Sequence, residues 1–149
     1  MGKSNNKVIK VAAFTINSEV NSTKSKLISL FNFLSDFKNF HHILPTDKVE
    51  NFVFNENECS FNIRGITPMK VRIIEKVPSS HILFSSEGLA KFNFSLKANF
   101  IGDANLTGSC SVDLTGDLNP IIRSMAEKAL QSLVNTMSLK LSELKLNDN

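Results

Sequence analysis

The stretch "DLNPIIRSMAEKALQSLVNTMSLKLSEL", Asp117–Leu144, decides the fold. Asn119 or Asp117 can cap a helix whose first position is Pro120, where a missing N–H costs nothing. Ile122, Met125, Ala126, Ala129, Leu133, Met137, Leu141 and Leu144 then recur at helical spacing as one apolar stripe. Its middle is built from small or flexible side chains (Ala126, Ala129, Ser132, two Met), which fill less space or adapt to varied shapes. A stripe of this length must cover an apolar layer supplied by the rest of the chain.

That layer reads as an antiparallel sheet. Lys7–Ser18 is rich in β-branched residues and predicts a first strand. Ser22 or Thr23 can cap a short helix carrying Leu27, Leu30, Phe31 and Leu34. A second short helix starts at Ser35 or Asp36 and must stop at Pro45. Runs of strand-like residues come next, punctuated by "NENE", "GITP", "PSS", Gly88 and "GDAN", as a meander requires. Cys59, Phe61 and Ile63 share one face, as do Met69, Val71 and Ile73. Phe92, Phe94, Leu96, Ala98 and Phe100 alternate with polar residues. The sheet has one apolar and one wet face. The class is α+β, and residues 1–149 read as a single domain.

Composition narrows the function. The net charge is +3 with scattered basic residues, unlike the clustered basic face of a nucleic-acid binder. No apolar run is long enough to insert in a membrane. "MGKSNNKVIKVAAF" has no continuous apolar segment of the export type, and Asn6 stands where N-myristoylation needs Ser or Thr. The expected location is the cytoplasm, with Cys59 and Cys110 reduced and the sequons at Asn21, Asn93 and Asn105 chance matches. The aromatic residues are twelve Phe, with no Trp and no Tyr, which builds an oily interior.

The order of strand, two short helices, six-strand meander and long terminal helix resembles the helix-grip fold of the START-like, pollen-allergen-like and polyketide-cyclase superfamily (the SRPBCC grouping). The resemblance is to its coenzyme Q-binding or lipid-binding type. It is carried by "LFNFLSDFKNFHHILP" (30–45), "CSFNIRGITPMKVRIIEKVP" (59–78) and "LNPIIRSMAEKALQSLVNTM" (118–137). It implies a curved sheet of about seven strands, with the first paired to the last. It also implies an elongated cavity between sheet and helix that takes lipids, sterols, polyketides, quinones or other apolar molecules. In that order Cys59 and Cys110 lie four strand steps of about 4.8 Å apart, roughly 19 Å, beyond disulfide reach.

The cavity-lining candidates are Phe61, Ile63, Val71, Ile73, Phe84, Phe92, Phe94, Met125, Ala129 and Leu133. Such a stripe is also what a filled core looks like. Among polar residues, Glu75 has the parity of Val71 and Ile73 and would point inward. His41 and His42 could sit at the cavity mouth, or form an ordinary surface pair at a helix C-terminus. Arg64 could orient a ligand's polar head or pair with Glu75 across strands. Asp113 has the parity of Ser109 and Ser111 and should be solvated. No spacing adds His81 to a metal site. No phosphate-binding loop or nucleophile elbow occurs, and no Ser–His pairing is visible in the sequence.

The reading is a binder or carrier of an apolar small molecule (lipid, fatty acid or quinone-like ring), without catalysis and without cofactor or metal. Two alternatives stand beside it: a cyclase, dehydratase or hydrolase on a similar ligand, and a protein-interaction scaffold. An enzyme needs an ionisable group in the pocket, and the sequence offers few at inward positions. Self-association as a homodimer stays open.

Overall fold

Burial alternates residue by residue along most strands, and that alternation builds the sheet. The computed structural model describes residues 13–64, 68–86, 89 and 93–146. The elements are β1 (Phe14–Asn17), β2 (Asn21–Ser22), α1 (Leu27–Leu34), a 3-10 helix (Phe37–Ile43), β3 (Val49–Phe54), β4 (Cys59–Ile63), β5 (Met69–Val77), β6 (His81–Ser85), β7 (Phe94–Ile101), β8 (Ser109–Gly116) and α2 (Pro120–Glu143). The strand order is β1-β8-β7-β6-β5-β4-β3, antiparallel throughout, with β2 also on β8. This is the helix-grip arrangement: a meander closed by the first strand on the last, with a long helix against one face.

The expected first strand is only partly described, since 1–12 lie outside the described residues, as do Gly88 and most of the "GITP" turn. The described part pairs with β8 as two pieces rather than one. At the break, Ser18 N–H donates to the Val112 carbonyl (2.9 Å), and Val112 N–H donates to the Ser18 hydroxyl (2.8 Å). The side chain thus stands in for a ladder carbonyl, and the chain kinks before pairing again as β2. The expected cap of α1 is also different. Ser22 lies in β2, and the Thr23 hydroxyl ties Ser25 to Gly108. The first amides of α1, those of Leu27 and Ile28, donate instead to the Leu106 and Ala104 carbonyls of the β7–β8 loop (3.0 and 2.9 Å).

Two other caps fall where the sequence puts them. The Asp36 carboxylate accepts from Lys38 N–H (3.0 Å), and the Asn119 side chain accepts from Ile122 N–H (3.0 Å). The 3-10 helix turns Phe37, Phe40 and Ile43 inward. Phe40 meets Phe84 edge-on with centroids 5.1 Å apart and Phe61 at 6.1 Å, while Phe31 of α1 meets Phe100 edge-on at 6.0 Å.

The buried side of α2 carries Ala126, Leu130, Leu133, Val134, Met137, Ser138, Leu141 and Ser142. It is rotated from the expected stripe toward Leu130, Val134 and Ser138. The reason is Ser138, whose hydroxyl contacts the Glu19 and Cys110 carbonyls (3.0 and 3.3 Å) and accepts from Asn21 Nδ2 (2.9 Å). A satisfied serine packs inward where periodicity reads it as outward. Leu144 and Ala129 are half-buried, and Ile122 and Met125 are exposed. Cys59 and Cys110 are both buried and free.

Candidate functional site

The candidate lining residues fall between α2 and the apolar face of the sheet. Phe61, Ile63, Val71, Phe84, Phe94 and Leu133 are all buried there, and half-buried Ile73 packs against them. Ala129 is half-buried on the helix, and Phe92 falls outside the described residues. Met125 does not line this space: it is 78% exposed, because the buried side of α2 passes through Leu130 and Val134 instead. Phe61 and Phe84 are already in contact with the 3-10 helix rings, so that part of the space is filled by protein.

The other end of α2 differs. Ile121 is 74% and Ile122 48% exposed, so with Met125 the first two turns present apolar side chains to solvent. Beneath that end lie Phe14 and Phe94, both paired with Gly116 of β8, and Arg123 stands 4.8 Å over the Phe14 ring. A groove of about 320 Å³ opens at the same end of the sheet, between Asn93, Phe94, Gly116 and Asp117 and the row Ser85–Ser95–Thr115. A second of about 230 Å³ lies at the β3 edge by Phe54, Glu58 and Lys70.

The polar candidates do not converge on the space. Glu75 is exposed because a bulge between Ile73 and Glu75 breaks the parity that would have turned it inward. Its carboxylate meets His81 Nε2 at 3.2 Å on the other face of the sheet. His41 and His42 stand on the exposed side of the last turn of the 3-10 helix, with rings 4.1 Å apart, between half-buried Phe33 and Phe52. Desolvation, then the charge of His41, holds the His42 imidazole below its usual range. Arg64 pairs with Glu50 (3.6 Å), not Glu75. Asp113 is half-buried on the wet face and accepts from Asn99 Nδ2 (2.9 Å).

A pairing missed in the sequence is present at the β5–β6 turn. The Ser80 hydroxyl and His81 Nδ1 are 3.1 Å apart. Neighbours in a strand point to opposite faces, so adjacency in sequence gave no signal. Only the turn at Pro78–Ser80 brings Ser80 round to the ring.

The remaining ionisable groups inside are thiols. Burial pushes the Cys110 thiol up to about 11 against an opposing hydrogen bond to Ser138. Burial first, and Glu58 second, raise Cys59. Every other buried polar side chain among the described residues is Ser or Thr. No three His, Cys, Asp or Glu side chains among the described residues could hold a metal. No described helix is long and apolar enough to cross a membrane.

No family model matches the chain, and neither does any curated protein. Solved structures do. A START superfamily protein from Mycobacterium smegmatis superposes with a TM-score of 0.58 at 9% identity, covering 85% of this chain and 96% of that one. Norcoclaurine synthase from Thalictrum flavum, in complex with dopamine and hydroxybenzaldehyde, gives 0.64 at 10% identity over 95% and 91%. A protein from Thermus thermophilus gives 0.62 at 15% over 87% and 94%. At such identities the likeness speaks for the fold alone, and together with the sheet order and the terminal helix it establishes that this chain has the START-like helix-grip fold.

Proposed function

We propose that this protein binds an apolar small molecule between the sheet and α2, without chemistry at that site, and that the molecule passes in and out at the first turns of α2. The observation that carries the reading is the contrast along the helix. Its second half buries Leu133, Val134, Met137 and Leu141 and exposes one large apolar side chain, Leu139, while Ile121, Ile122 and Met125 stand in solvent over the Phe14–Phe94 end of the sheet. Exposed apolar side chains grouped at one end of a helix mark a surface that meets something apolar. Transfer of ligand surface from water would supply the affinity, at about 25 cal/mol per Å².

Binding is favoured over catalysis because, among the described residues, the interior offers only hydroxyls and two thiols held protonated. Norcoclaurine synthase, which shares the fold, is a synthase that binds dopamine and hydroxybenzaldehyde, but general acid–base chemistry needs a titratable group in reach of the ligand. The ligand class is a lipid, fatty acid or quinone-like ring, and a cytoplasmic setting fits the two free thiols.

The test is native mass spectrometry of gently purified protein, followed by organic extraction and titration with fatty acids, quinones and a fluorescent apolar probe. Expected are a co-purifying species of defined mass or saturable probe binding, weakened by Met125→Asp or Ile122→Asp. No bound species and no binding across the panel would overturn the reading in favour of a protein-docking scaffold.

A further inference from the structure

We propose that the β5–β6 turn carries an acyl-accepting serine: Ser80 as nucleophile, His81 as its base and Glu75 as the positioning residue, reacting with activated acyl donors such as aryl esters and thioesters.

Ser80 Oγ lies 3.1 Å from His81 Nδ1, and His81 Nε2 lies 3.2 Å from Glu75 Oε1. A carboxylate accepts only, so in the neutral imidazole the tautomer that donates from Nε2 to Glu75 leaves the Nδ1 lone pair facing the hydroxyl. That is the tautomer a base needs. A nucleophile within hydrogen-bond reach of a base, itself oriented by a third group, is the general signature of an activated hydroxyl.

Two backbone features set it up. The bulge between Ile73 and Glu75 pairs Glu75 with Leu83, on the face that His81 shares. At the turn, Ser80 N–H donates to the Val77 carbonyl (2.9 Å), with Pro78 leading and Ser79 at φ 64°. A positive φ at a residue other than glycine is uncommon and is concentrated at functional sites. His81's own side chain is only 18% exposed, so the ring is held against the sheet while Ser80 is open to solvent. Opposite His81 on β7 stands Asn99, whose amide is committed to Ser111 and Asp113, and Lys97 lies at the diagonal position.

In the reaction Ser80 Oγ attacks the acyl carbon and its proton passes to His81 Nδ1. The imidazolium is stabilised by Glu75. The C–O or C–S bond to the leaving group breaks, and the phenolate or thiolate takes the proton from Nδ1. Water, deprotonated by the same nitrogen, then attacks the acyl carbon; the ester bond to Ser80 breaks, Nδ1 returns the proton to Ser80 Oγ, and the acid leaves. Ser80 is open to solvent, which restricts the site to donors with good leaving groups.

The full-length protein is treated with a fluorophosphonate probe and, separately, p-nitrophenyl acetate, and adducts are mapped by peptide mass spectrometry. A single adduct on Ser80 is expected, absent in Ser80→Ala and unchanged in Ser79→Ala. His81→Gln and Glu75→Gln should slow it by about 100-fold, the scale of general-base assistance. Imidazole added to His81→Gly should restore part of the rate, which a merely structural histidine would not allow. Thermal melts confirm that each variant is folded. Labelling of Ser80 no faster than of other exposed serines, or at the same rate in His81→Gln, would overturn the proposal.

Discussion

Ser138 and Ser142 stand one turn apart on α2 and are both buried, yet replacing each with Ala should have different consequences. The Ser138 hydroxyl accepts from Asn21 Nδ2 (2.9 Å) and offers its proton to the Glu19 carbonyl (3.0 Å), with the Cys110 carbonyl at 3.3 Å. It therefore ties α2 to the β1–β2 break and to β8. The Ser142 hydroxyl donates to the Leu139 carbonyl within its own helix (2.7 Å). Removing Ser138 Oγ strands groups on another element, at about 1–3 kcal/mol. Alanine returns up to about 0.5 kcal/mol of helix propensity at either position. The net loss for Ser138→Ala is then about 0.5–3 kcal/mol, and Ser142→Ala comes out near zero or slightly stabilising. For a chain of this length each kcal/mol moves Tm by about 2–4 °C, so Ser138→Ala should melt about 1–12 °C lower. Urea denaturation should show the same ordering in midpoint with unchanged slope. If the two variants match, the hydroxyl bridge does not set the helix rotation, and some other contact must explain why α2 buries Leu130 and Val134.

Phe40→Ala removes the ring that fills the space between Phe84 and Phe61, and should cost about 3–5 kcal/mol by chemical denaturation. Gly108→Ala would drive a Cβ into the Ile101 carbonyl oxygen and set it 3.0 Å from Leu27 Cδ1, so backbone must move. A loss of about 1–3 kcal/mol is expected there, against a smaller one for Gly116→Ala, whose nearest neighbours lie at 3.4 Å. Cys59 and Cys110 should resist a thiol reagent such as Ellman's in the native state and react with two equivalents on unfolding. Because burial raises their folded pKa, with Cys110 at about 11, the stability they contribute is complete below the unfolded thiol's range and is lost as pH rises through the folded value. Alkaline midpoints should therefore fall above about pH 9, and Cys110→Ser should change the profile.

The meander was legible because strict alternation, as in Phe94–Leu96–Ala98–Phe100, has one reading once a face is buried. Asn119–Pro120 and Asp36 were legible because caps are local chemistry. What failed was extrapolation across breaks in the pattern. Parity carried from Ile73 to Glu75 ignores an inserted residue, and no signal in "RIIEKV" announces it. Treating serine as a residue that always faces water swings the α2 stripe toward Met125 and away from Leu130. The helix cap at Ser22 or Thr23 failed because the amides of α1 found partners in a loop nearly eighty residues away along the chain. The lining set comes from the apolar faces, so six of its members are buried as a group, while polar contacts made across a turn, as at Ser80 and His81, leave no periodic trace.

The β5 bulge connects the proposed binding face with the proposed reactive one. Without it, alternation would drive the Glu75 carboxylate in beside Val71 and Ile73, where an unpaired charge is costly. The extra residue, Ile74, is left unpaired and 55% exposed, and Glu75 turns to the wet face. One irregularity thus keeps the helix side free of an acid and delivers that acid to His81. The two sites lie on opposite faces of the sheet and share no side chain, so they should fail independently. Met125→Asp should weaken apolar probe binding and leave the labelling rate of Ser80 unchanged, whereas Glu75→Gln should slow labelling and leave probe affinity within about twofold, a few tenths of a kcal/mol. Loss of probe binding in Glu75→Gln with an unaltered melt would mean that the carboxylate reaches the interior after all, and the division between a dry binding face and a reactive wet face would not stand.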